Sequence, residues 1–208
     1  MKIERIRPEE IERRSFEIIT DLLGEQQPPD ETAHIVKRVI HTTADLEYAE
    51  TLYFSENAAQ ILSQALAEGA HIVTDTQMAL SGINKKTLAA FGGQVHCFMA
   101  DEDVARQARE RGVTRACVSM EKAATLSVPL IFAIGNAPTA LLRLDELVRE
   151  GTVRPRLIIG VPVGFVNVVQ SKERIMNAGV PCIVAKGRKG GSNVAAAIVN
   201  AGLYRVTR

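Results

Sequence analysis

The sharpest grouping of chemically capable residues is Gly187-Arg188-Lys189-Gly190-Gly191-Ser192. Two cations, three glycines and a serine precede a helical pattern through Val194, Ala195 and Ile198. Free N–H groups at a helix start, flanked by Arg188 and Lys189, suit a carboxylate or a phosphate. The spacing GxxxxGK[ST] does not occur here or elsewhere, so this is not a P-loop. The plainer reading is a basic surface turn. His41 is the second candidate. It closes a helical pattern carrying Val36, Val39 and Ile40, and Thr42-Thr43-Ala44-Asp45 follow it. Histidine is the side chain best suited to exchanging a proton near neutrality, although one in a last helical turn also serves as a cap. Of the other three, His34 is expected on a solvated helix face, and His71 and His96 fall in predicted strands.

Ser15 is the third candidate. Ile11, Ile18, Ile19 and Leu22 form an apolar stripe at helical spacing, and Ser15 falls in its middle. A hydroxyl on a packing face needs a partner, and the plain expectation is a bond to the carbonyl one turn earlier. Other chemistries lack their signatures. There is no GxSxG elbow, no GxGxxG and no histidine pair at metal-ligand spacing on one helix. Cys97, Cys117 and Cys182 stand far apart among apolar neighbours, so they are expected as buried structural thiols, with no disulfide and no protein-held metal.

The elements that must position these residues follow from composition and pattern. The 208 residues are 46% hydrophobic and 24% charged, enough for one compact domain with a sizeable core. A net charge of +1 gives no general pull toward nucleic acid or an anionic membrane. Aromatics at 4% and the absence of Trp argue against base-stacking platforms. No apolar run reaches the roughly 18–20 residues of a membrane span. Met1-Lys2-Ile3-Glu4-Arg5 lacks the apolar core of a secretory signal, so a cytoplasmic protein is expected.

Residues 1–53 read as a charged helical segment and 54–208 as a parallel α/β core, together one domain. The core holds five short apolar runs, His71–Asp75, Val95–Met99, Leu130–Ile134, Leu157–Val161 and Cys182–Ala185. Near-continuous hydrophobicity marks strands buried on both faces. Helical patterns lie between them: one capped by Ser55 and stopped at Gly69, one from Asp101 to Gly112, one from Asn136 to Gly151. The expected fold is a flavodoxin-like, doubly wound parallel sheet of about five strands in α/β/α layers. Loops rich in small and polar residues follow four of the strands, around Thr76, Asn136, Gly164 and the Gly187–Ser192 segment. All fall at carboxyl ends of strands, the edge where open α/β sheets bind ligands.

Five segments also carry a resemblance. Arg13-Arg14-Ser15-Phe16, Arg38-Val39-Ile40-His41, Gly135-Asn136-Ala137-Pro138-Thr139-Ala140-Leu141, Gly160-Val161-Pro162-Val163-Gly164-Phe165-Val166 and Gly187-Arg188-Lys189-Gly190-Gly191-Ser192 occur in that order. Together they resemble the precorrin-8X methylmutase family of cobalamin biosynthesis, including its cobalt-precorrin-8 branch, over essentially the whole chain. The resemblance implies a cytosolic, flavodoxin-like homodimer with active sites near the subunit interface. It implies an isomerase that moves a methyl group from C-11 to C-12 of a contracted tetrapyrrole, giving hydrogenobyrinate, or cobyrinate when cobalt is in the ring. On it, His41 is the catalytic proton donor or acceptor and Ser15 a substrate contact. Arg14, Thr42, Thr76, Asn136, Gly164, Arg188, Lys189 and Ser192 are the further expected contacts to a corrinoid polycarboxylate. No cofactor and no metal site are expected. The segment Thr42-Thr43-Ala44-Asp45 looks more like the cobalt-dependent branch. Two other readings stay open: a non-catalytic corrinoid carrier, and an enzyme acting on phosphorylated metabolites through the Gly187–Ser192 loop.

Overall fold

A computed structural model describes residue 4 and residues 6–207. The chain opens with three helices, α1 (Ile11–Leu23), α2 (Asp30–Thr43) and the single turn α3 (Tyr48–Thr51), and then a short strand, β1 (Leu52–Phe54). Next come α4 (Ala58–Ala67), β2 (His71–Thr74), α5 (Gln77–Gly82), α6 (Lys85–Ala90) and β3 (Val95–His96). The second half runs α7 (Glu102–Arg111), α8 (Arg115–Ala123), β4 (Leu130–Ile134), α9 (Pro138–Arg149), β5 (Leu157–Gly160), α10 (Val168–Met176), β6 (Cys182–Ala185) and α11 (Ser192–Thr207).

The sheet order is β1-β6-β5-β4-β2-β3. The five strands anticipated from apolar runs are β2 to β6, all parallel to one another. Counted among themselves they lie in the order 2-1-3-4-5, the flavodoxin arrangement. The sixth strand, β1, adds antiparallel to β6 with Leu52 opposite Ala185. Three residues are too short to announce a strand by pattern. The expected boundary at residue 53 therefore falls inside an element that joins the helical segment to the sheet.

Alternate residues of each strand feed two cores. Ile131, Ala133, Leu157, Ile159 and Ile183 pack under α2, α4 and α11, whereas Phe132, Ile134, Ile158 and Val184 pack under α8, α9 and α10. Both layers are apolar because both faces of a parallel sheet are covered by its crossover helices. Some local expectations give way to longer-range bonds. Ser55 does not cap α4: Asn57 takes that place, and Ser55 Oγ accepts from Cys182 N at 2.9 Å. Asp101 precedes α7 without capping it, because its carboxylate accepts from Lys122 at 2.7 Å. Of the three thiols only Cys182 is buried, while Cys97 and Cys117 are half-buried.

Candidate active site

The site begins at the end of α2. Asp30 and Glu31 favour its N-terminus, and Ile35, Val36, Val39 and Ile40 are buried against the core. Ala44 ends it in the left-handed region (φ 55°), its N–H donating to Ile40 O at 2.7 Å. That periodicity leaves His41 on the outer face, exposed. Helix α1 packs alongside through Phe16, Ile19 and Leu23. Ser15 Oγ lies 2.9 Å from His41 Nδ1, and the Phe16 ring sits 5.5 Å from the imidazole. The bond expected from Ser15 to its own helix gives way to this one. The stripe on which Ser15 was placed is corrected in part: Ile19 is buried, but Ile11 (54%), Ile18 (41%) and Leu22 (63%) are exposed.

The strand-end loops are tied into one rim. Asp75, buried just after β2, accepts from the N–H groups of Gly135, Asn136 and Ala137 at 2.9, 2.8 and 2.5 Å. These bonds span β2 and β4, between which the strand order reverses. Burial pushes the Asp75 carboxyl above its usual range, against the pull of the three N–H groups. Thr76 caps α5 through Ala79 N, and its hydroxyl lies 2.7 Å from Ser192 Oγ. Gly191 N donates to Val161 O and Gly164 N to Arg188 O, which binds the loop after β5 to the loop after β6. Gly135 is required by close approach: a Cβ there would stand 2.6 Å from the Cα of Ser192.

Two lysines fix the last loop from opposite sides. Lys189 Nζ donates to Asp45 and Glu47, each at 2.6 Å, which joins the Gly187–Ser192 segment to the residues just past His41. Lys172, on α10 and only 1% exposed, donates to the carbonyls of Gly187 and Lys189 at 2.9 and 2.8 Å. Burial pulls its ammonium down to about 8. The result is an exposed imidazole oriented by a hydroxyl, beside a rim of mutually bonded loops from which Arg188, in no ion pair among the described residues, projects. Such a surface can exchange a proton with a bound molecule and hold its carboxylates.

The sequence profile of the precorrin-8X methylmutase family matches residues 10–205. The chain belongs to that family. It is 47% identical over 205 residues to the cobalt-precorrin-8 methylmutase of Salmonella typhimurium, covering 96% of each chain. To the enzyme of that name from Priestia megaterium it is 44% identical, covering 94% of this chain and 87% of the relative. The crystal structure of precorrin-8x methyl mutase from Thermus thermophilus superposes with a TM-score of 0.86 at 37% identity, over 95% of this chain and 98% of that one. As a precorrin-8X methylmutase family member, the chain is an isomerase of the intramolecular methyl-transfer kind.

In this methylmutase the expected site residues fall into three groups. His41 and Ser15 meet directly. Thr76, Ser192, Asn136, Gly164 and Arg188 share the bonded rim, and Lys189 ties that rim to the end of α2. Ser192 opens α11, but its hydroxyl bonds Thr76 instead of acting as a cap. Arg14 and Thr42 are committed locally: Arg14 to Glu4 and Glu17, Thr42 Oγ1 to Arg38 O at 2.9 Å. Lys189 is likewise saturated by its two carboxylates. Arg188 is exposed and enters no ion pair among the described residues. Asp75 and Lys172 were missed as site-builders. Lys172 had a signal, since Val168, Ser171, Lys172 and Ile175 repeat at helical spacing and all are buried. His34, expected on a solvated face, is half-buried, and His71 Nδ1 lies 2.9 Å from His96 Nε2 within the sheet.

Proposed function

We propose that this methylmutase moves a methyl group from C-11 to C-12 of cobalt-precorrin-8 or precorrin-8X, giving cobyrinate or hydrogenobyrinate in cobalamin biosynthesis. The observation that carries the reading is the Ser15–His41 pair, an exposed imidazole oriented at the margin of the loop rim. With Nδ1–H donating to Ser15 Oγ, the opposite nitrogen, Nε2, can share a proton with a nitrogen of the macrocycle. That proton draws electron density along the conjugated path and stabilises the charge that develops as the methyl migrates. The methyl carries its bonding pair from one ring carbon to the next, and His41 takes the proton back. No atom is gained or lost. The substrate's acetate and propionate arms need fixing so that the ring cannot slide. Arg188 suits that purpose.

The cobalt-bearing substrate is favoured by the two relatives described above, both named cobalt-precorrin-8 methylmutases. We further propose a cytoplasmic homodimer. The exposed Ile11, Ile18 and Leu22 on the helix that carries Ser15 support a face covered by a second copy. Among the described residues no helix is long and apolar enough to cross a membrane.

The test is conversion of precorrin-8X, with and without cobalt, followed by absorbance. The native protein is expected to convert it, and His41→Ala to bind the product while turnover falls about 10²–10⁴-fold. Near-native turnover by His41→Ala removes the proposed role. Binding by the native protein without conversion makes the chain a carrier.

A further inference from the structure

The face of α2 that carries His41 continues toward the N-terminus of that helix. His34, Lys37, Arg38 and His41 repeat at three and four residues, so they share one stripe. Beside this stripe, α1 and α11 enclose a cavity of about 370 Å³ lined by Phe16, His34, Lys37, Arg38, Tyr204 and Arg205. A second hollow of about 260 Å³ lies between α2 and α11 and reaches Thr42, sharing Arg38 and Tyr204 with the first. The two form one groove that starts next to the active site. Its middle is built from stacked groups, with the Arg38 guanidinium 4.8 Å from the Phe16 ring centre and 5.0 Å from that of Tyr204. Phe16 in turn packs on His41.

The charges in the groove are unbalanced. Arg38 is neutralised by Glu12. Lys37 donates only to the hydroxyl of Thr20, at 3.0 Å, and neither it nor Arg205 enters an ion pair among the described residues. Nε2 of His34 is buried without a hydrogen-bond partner among the described residues, an unusual condition for a polar atom beside a cavity. Two cations around an aromatic floor match one chemical group well, a carboxylate on a short flexible chain.

We propose that this groove is a subsite for one carboxylate arm of the substrate, gripped by Lys37 and Arg205 beside the His34 ring while the macrocycle lies over His41. The assignment rests on the corrinoid reading given above. It makes the groove a register pin: an arm seated a helical turn or more from His41 sets which ring nitrogen the imidazole meets.

Two measurements test it. In the first, the carboxylate-bearing corrin product is titrated into the native protein, Lys37→Gln/Arg205→Gln, and a charge-matched control, Lys85→Gln/Lys86→Gln, at the exposed start of α6. The groove variant is expected to bind about tenfold or more weakly, and the control within about twofold of native. Equal weakening in both variants, or none in either, overturns the subsite. In the second, glutarate alone is titrated while the His34 ring signals are followed by NMR. A saturable shift in the native protein that is lost in the groove variant supports the subsite, and no shift overturns it. Failure of the native protein to bind any corrinoid sinks the functional reading instead, and the glutarate titration still judges the groove.

Discussion

Ser15 Oγ and His41 Nδ1 stand 2.9 Å apart although 26 residues of chain separate them. The contact joins α1 to the last turn of α2 and fixes the imidazole by its inner nitrogen. When Nδ1–H donates to Ser15, the tautomer is set and Nε2 is the atom left to gain or lose a proton. The same bond persists in the imidazolium, so under the mechanism proposed above the ring need not turn. A nearby aromatic face, Phe16, restricts the ring further.

Removing that hydroxyl tests the arrangement. Ser15→Ala is expected to lower kcat about 10- to 30-fold, the worth of one hydrogen bond realised in the transition state. Product affinity should change far less. Single-turnover absorbance kinetics with a parallel binding titration separates the two effects, and an unchanged kcat removes Ser15 from the mechanism.

Asp75 is the fastener of the rim. Asp75→Ala strips the acceptor from the three N–H groups of Gly135, Asn136 and Ala137. Urea unfolding is expected to show a loss of about 3 kcal/mol or more, because buried donors left unpaired are costly. Asp75→Asn, which keeps one acceptor oxygen, should fall between Ala and native. A loss below about 1 kcal/mol for Asp75→Ala would refute this role.

Lys172 gives a stability signature that depends on pH. Its folded pKa, about 8, lies below the ordinary lysine value of 10.5. Between those two values the unfolded chain holds the proton and the folded one has released it. Stability contributed through this group therefore rises as pH climbs from about 8 to 10.5, by up to about 3 kcal/mol. Comparing urea melts of native protein and Lys172→Met at pH 7 and 10 cancels the other groups. The difference in unfolding free energy should move in favour of the native chain at the higher pH.

Gly135 leaves no room for a side chain. Gly135→Ala would put a methyl against the backbone at the start of α11, separating the loop after β4 from Ser192. A cost of about 1–3 kcal/mol is expected from such overpacking. Loss of the 2.7 Å Thr76–Ser192 contact should accompany it. Thermal denaturation and a crystal structure of the variant check both.

The legible parts of this protein were those written in local pattern. Leu130–Ile134 and Cys182–Ala185 read as strands because five and four consecutive apolar residues bury on both faces of a sheet, and these runs matched the observed strands end to end. The helices from Pro138 and through Val194 were legible from periodicity, although Ala137 and not Asn136 stands at the start of the first and the Ser192 hydroxyl bonds Thr76. Leu52–Phe54 was not legible, since three residues carry no period and pair only because β6 offers a free edge. Ser15 shows the same limit within the site. Periodicity placed it on a stripe with Ile11, Ile18 and Leu22, but could not say that three of those side chains lie open while the hydroxyl reaches His41.

The sequence by itself determined the five parallel strands and the glycine-rich loops at their carboxyl ends, and it singled out His41 as a candidate for proton exchange. It also carried five ordered motifs that placed the family. Tertiary structure alone decided which groups are spent and which are free. Lys189 looked like an anion ligand in its loop, yet Asp45 and Glu47, more than 140 residues earlier in the chain, occupy its ammonium. Arg188 beside it enters no ion pair among the described residues. Lys172, not among the residues expected at the site, lies buried under the loop it holds. Side-chain type is local information, whereas burial, partner and charge balance are properties of neighbours that only the folded chain brings together.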